Sequence, residues 1–172
     1  MVIDATAASN PERMNIDVEC RCNDSVGQNF CADFKKKVAE SAAYKLVDNT
    51  GGFGIGVHLT CVDMWKGIVE HLTGHMSAVS VAFTVYSESL PGEMLEDNSV
   101  LRVGTDNVSE ASREMISALG QLVTANASLF DRLRAANEKQ PSSGETSGAS
   151  VGGPETSGPS PESSPAESSP VP

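Results

Sequence analysis

From Met14 to Cys22 the chain alternates without a fault, with Met14, Ile16, Val18, Cys20 and Cys22 on one side and Asn15, Asp17, Glu19 and Arg21 on the other. Successive side chains of a strand point to opposite faces, so this stretch reads as a strand with one buried and one wet face. A sheet built from such strands needs cover on one side only. The fold is thereby narrowed to two layers, helices on one face of a sheet and solvent on the other.

Asn23, Asp24 and Ser25 are good helix N-cap residues. Behind them Phe30, Cys31, Phe34, Val38 and Ala42 recur at helical spacing, which predicts a helix from about Val26 to Ala43. Tyr44 to Asp48 suits a second strand, and Asn49-Thr50-Gly51-Gly52 offers the positive-φ residues of a hairpin turn into a third. In that third strand Phe53, Ile55, Val57, Leu59 and Cys61 alternate with Gly54, Gly56, His58 and Thr60. A fourth runs from Ser77 to Ser87 with Val79, Val81, Phe83 and Val85 inside. After a loop over Leu90 to Asn98, Leu101 and Val103 mark a short last strand. From Ser109 to about Glu138 there is no Pro and one Gly, so a single long helix capped by Ser109 is expected. The sum is an α+β two-layer sandwich: a mostly antiparallel sheet of four or five strands with two helices on one face.

Beyond residue 139 the chain turns to Ser, Pro, Gly, Glu and Thr, and it repeats itself in Glu145-Thr-Ser-Gly148 and Glu155-Thr-Ser-Gly158. Burial cannot offset the entropy of ordering such a segment, so residues 140–172 are expected to be a disordered tail, 14–139 one α/β domain and 1–13 a flexible start. The formal charge of -11 repels phosphate backbones and anionic lipid, which argues against nucleic acid as a partner. Lys35, Lys36 and Lys37 form the densest cationic group, and in mid-helix they read as its solvated face. No run nears the roughly 18 apolar residues of a membrane span. The first ten residues lack the basic start and apolar core of a secretory signal, so the expectation is a cytoplasmic protein, or an exported one whose signal has been lost.

Three groups of residues bear on chemistry. Cys20, Cys22, Cys31 and Cys61 all fall on inner faces and read first as small buried hydrophobes. In an oxidising compartment they would form two disulfides. Cys20 and Cys22 are too strained to bridge each other, which leaves the two pairings that join each to Cys31 or Cys61. A zinc site from all four lacks the turn that closes a metal knuckle. His71 and His75 stand four apart with Glu70 beside them, a weak metal-ligand pattern weighed against plain surface histidines, since Gly74 disfavours the helix that would align the rings. His58, on the polar strand face, reads as solvated. In the last helix Leu122, Asn126, Leu129 and Leu133 lie on a seam of alternating steps of four and three. Its far half is expected to reach past the sheet and to pair with a copy of itself or another helix.

No stretch carries a nucleophilic, phosphate-cradling or cofactor-binding motif. Gly51-Gly-Phe-Gly-Ile-Gly56 resembles a glycine-rich loop but opens a strand, so no helix N-terminus would face a phosphate. The phrases Val26-Gly-Gln-Asn-Phe-Cys-Ala-Asp-Phe, Ser41-Ala-Ala-Tyr-Lys-Leu-Val and Ser77-Ala-Val-Ser-Val-Ala-Phe resemble those of small α/β domains in bacterial exported proteins. Those domains are similar in architecture to the amino-terminal domain of the Tol-system propeller protein. The resemblance implies protein contacts and no catalysis, and it assigns no functional residue. A non-catalytic interaction or accessory domain is therefore expected, with a protein partner or a second copy and no cofactor. The alternative is a small metal-binding protein or enzyme using Glu70, His71 and His75, or the cysteines.

Overall fold

The computed structural model describes residues 13–48 and 52–139. The expected flexible start, the Ser/Pro/Gly/Glu tail and most of the expected turn at 49–52 lie outside the described residues. The elements are β1 (Met14–Cys22), α1 (Ser25–Glu40), β2 (Tyr44–Val47), β3 (Phe53–Asp63), β4 (Met76–Ser87), β5 (Met94–Gly104), α2 (Val108–Ala125) and α3 (Ala127–Glu138), with a single 3-10 turn at Glu70–Leu72. The strands form one sheet in the order β2-β1-β3-β4-β5. Four and seven residue pairs join β1 to β2 and β3 in parallel, whereas eleven and ten join β3 to β4 and β4 to β5 in antiparallel register. The sheet is thus mostly antiparallel, and the fold is α+β.

The hairpin expected between β2 and β3 does not form. β1 lies between them, paired through Met14↔Tyr44 on one side and Ile16↔Ile55 on the other. Glycines at the turn signal a change of chain direction and are silent about which strand lies alongside. The long-range ladders of β1 decide that, and α1, as the crossover between two parallel strands, places β2 at the sheet's edge.

Asp24 starts α1. Its Oδ1 accepts from the Gly27 amide at 2.7 Å, and its Oδ2 accepts from the Ser77 hydroxyl at 3.0 Å, so the buried cap ties α1 to β4. Gly27 leaves no room for a side chain, because an added Cβ would overlap that of Cys61. The core between the layers contains Ile16, Phe30, Phe34, Ile55, Leu59, Val81 and Leu119, all at most 1% exposed.

Three expectations about the second half are corrected. β5 is not a short strand after a loop. It begins at Met94 and runs eleven residues, with a bulge where Phe83↔Asp97 is followed by Thr84↔Leu95 and Glu96 is the extra residue. Alternation fails as a signal across that extra residue, which hides the first half of the strand. The single long helix is two helices. Asn126 ends α2 and starts α3, and its Nδ2 donates to the Leu122 carbonyl at 3.1 Å. The bend lets Phe130, absent from the seam, turn into the core, where its ring meets Phe53 edge to face at 6.1 Å. The expected cap is also displaced: Asn107 precedes α2, and its Oδ1 accepts from the Gly104 amide at 2.6 Å.

Candidate interaction surface

The sheet face turned away from the helices is where polar chemistry collects. Register brings Glu19 of β1 beside His58 of β3, and Gly56 beside Thr84 of β4. The His58 ring reaches both ways. Its Nδ1 lies 2.9 Å from Glu19 Oε2 and its Nε2 lies 2.7 Å from Oε2 of Glu93, the residue that leads into β5. Ionised carboxylates only accept, so the ring that satisfies both partners is the doubly protonated imidazolium. Burial pushes the His58 pKa down, but the hydrogen bonds and charges of Glu19 and Glu93 outweigh it and hold the pKa above its usual value. Glu19 is held below the ordinary carboxylate range by its hydrogen bonds from His58 and Arg21, and Arg21 grips its other oxygen at 2.8 Å. The expectation that His58 is simply solvated is corrected. Its partner Glu19 is 39 residues away, and the parallel register that joins them is not visible locally.

Thr84, His58 and Glu19 stand in the order of a nucleophile, a base and an orienting acid, with Thr84 Oγ1 3.2 Å from His58 Nε2. Two features oppose that chemistry. The Thr84 hydroxyl donates to Glu93 at 2.9 Å, and Nε2, already donating to Glu93, has no lone pair with which to take a proton. The cluster works as a clip that holds β1, β3 and the entry to β5 together.

Beside it Tyr86, only 3% exposed, covers Gly54 so closely that an added Cβ there would overlap its hydroxyl. Burial, then the charges of Asp17 and Glu93, push the Tyr86 pKa up to about 12. Asp17 is raised as well, by burial first and by Glu93 second, with His58 opposing. Gly54 and Gly56, expected to face solvent, are buried under these β4 side chains.

The other candidate residues are placed as follows. Cys20 bonds to Cys31 and Cys22 to Cys61, one of the two pairings that strand geometry left open. The first reading, four free buried thiols, is corrected: Cys20 of β1 faces Cys31 of α1, and Cys22 and Cys61 are paired across β1 and β3, which brings the sulfurs within bonding reach, with Cα separations of 6.4 and 4.4 Å. Glu70 and His71 lie exposed on the 3-10 turn and His75 exposed in the loop behind it. Asp63 holds that loop, accepting from the amides of Trp65 and Gly74 at 2.8 and 2.7 Å. Among the described residues no three His, Cys, Asp or Glu side chains converge as a metal would require. On the seam, Leu122 is buried in the chain's own core, Leu133 packs against that core, and Leu129 is half-buried.

What remains is an edge. β5 is hydrogen-bonded to β4 on one side and is the last strand of the sheet. Among the described residues, three of the five large apolar side chains that are exposed, Met94, Leu95 and Val100, belong to it, Val100 at 75%. α2 covers only part of its inner face. A groove of about 140 Å³ opens there, lined by Phe83, Ser99, Leu101, Ala111 and Met115 among others. The opposite edge strand, β2, has four residues. No protein-family model matches this sequence, and no curated protein does.

Proposed function

We propose that the chain is a non-catalytic interaction domain of an oxidising compartment, and that it docks a protein partner along β5. The observation that carries the reading is β5 itself, an eleven-residue edge strand that bears exposed apolar side chains and is paired on one side only. An edge of that length offers unpaired backbone groups to another strand, and between the bulge at Glu96 and Arg102 the stretch Asn98 to Val100 is uncharged and exposed. The two disulfides support the compartment, because such bonds persist where glutathione does not reduce them. The clip of His58, Glu19 and Glu93 supports the docking role by fixing where β5 begins. Among the described residues no helix is long and apolar enough to cross a membrane.

A photo-crosslinking residue in place of Val100 tests the reading, with one in place of exposed Lys36 on α1 as control. Discrete adducts from position 100 and none from position 36, in the extract of the source cells, are expected. Equal labelling from both positions, or none from position 100, would contradict it.

A further inference from the structure

We infer that the strand that docks on β5 is the β5 of a second copy, joined antiparallel about a two-fold axis through Ser99. The inference rests on the reading of β5 as a docking edge and names its occupant. Three observations converge on Ser99.

The first is length. Ser99 is the middle residue of Met94–Gly104, so a two-fold there gives two copies of the strand the longest overlap they can have. The second is charge. In that register residue i meets residue 198 minus i of its partner, which sets Glu96 against Arg102 and, by symmetry, Arg102 against Glu96. Arg102 is on the open face beside Ala78, and the bulge leaves Glu96 on that face next to Leu95, which pairs with Thr84. Opposite charges directly across strands are favourable and like charges are not, so the pair selects this register against slipped ones. The third is the groove. It begins at Ser99 and Leu101 on the helix side, so the two grooves of a dimer open toward each other across the paired Ser99 residues at the axis.

The symmetry closes the assembly. A strand that pairs with its own copy about a two-fold leaves no further long edge, since β2 at the opposite end has only four residues. A ten-stranded sheet results, with both His58 clips on its continuous open face.

Sedimentation equilibrium of the full chain tests this with Arg102→Glu, Glu96→Arg and the double exchange. Wild type is expected to dimerise below about 100 µM. Each single charge reversal places like charges across the axis twice and is expected to weaken the dimer roughly tenfold. The double exchange restores opposite charges and is expected to recover wild-type affinity. Both residues are exposed or half-buried at the edge, and unchanged circular dichroism checks that each variant folds. Failure of the double exchange to rescue overturns the register, and a wild type that stays monomeric overturns the dimer. In that last case adducts from position 100 to another protein would leave the docking edge standing with a different occupant.

Discussion

His58 Nε2 lies 2.7 Å from Glu93 Oε2, which fastens the residue just before β5 to the middle of β3. The bond needs a proton on that nitrogen, and Glu19 needs one on the other. The raised His58 pKa therefore contributes stability that is fully present below the ordinary histidine value of about 6.5 and is lost as pH rises through the folded-state value. With the pair about one-third exposed, the loss should be a few tenths to about 1 kcal/mol. Thermal melts across that pH range should show the fall in wild type and not in His58→Gln, and an imidazole titration by NMR should give the raised midpoint.

Reduction should separate the disulfides from the rest of the core. Cys20 to Cys31 closes a loop of 11 residues and Cys22 to Cys61 one of 39, so chain-entropy reasoning assigns about 3 and about 4 kcal/mol. Denaturant midpoints of Cys20→Ala/Cys31→Ala and Cys22→Ala/Cys61→Ala should fall in that order. Mass mapping of the native protein should give these two pairs. A pairing of Cys20 with Cys61 would show that β1 and β3 are out of the observed register.

The first turn of α3 should behave as core at Phe130. Phe130→Ala removes a ring 3% exposed and should cost about 3–5 kcal/mol. Leu129→Ala, at a half-buried position, should cost roughly 1 kcal/mol. Equal effects at the two positions would mean that the chain does not bend at Asn126.

Gly54 should tolerate no side chain. Alanine there would press on the Tyr86 hydroxyl and lie 2.7 Å from the Asn15 carbonyl, which is backbone and cannot move aside cheaply. A loss of about 1–3 kcal/mol in Gly54→Ala is expected. Partial recovery in the double variant with Tyr86→Phe, which removes the crowding oxygen, would place the strain between those two residues.

Period and capping made much of the fold legible in the sequence. β1, β3 and β4 could be read from alternation, α1 from its apolar spacing and Asp24, and the placement of all four cysteines on the core side follows from the same patterns. Pairing was less legible. Asn49 to Gly52 signal a turn as well as any hairpin would, and only the ladders of β1 show that β2 and β3 are not neighbours. The candidate surface was hidden for the same reason. His58, Glu19 and Glu93 are brought together by register between distant segments, and β5 was masked by one extra residue, Glu96, that breaks its alternation. Phe130 lay outside the seam because a smooth helical period does not anticipate the bend at Asn126.

The central claim, that β5 docks on the β5 of a second copy, is tested most directly by amide hydrogen exchange of the full chain at low and high protein concentration. Half of the β5 amides point away from β4, and in an isolated domain they exchange freely. They are expected to gain protection between Leu95 and Val103, symmetrically about Ser99, as concentration rises, while β2 at the other edge stays unchanged. Exchange along β5 that is fast and independent of concentration, with β2 behaving identically, would contradict the account.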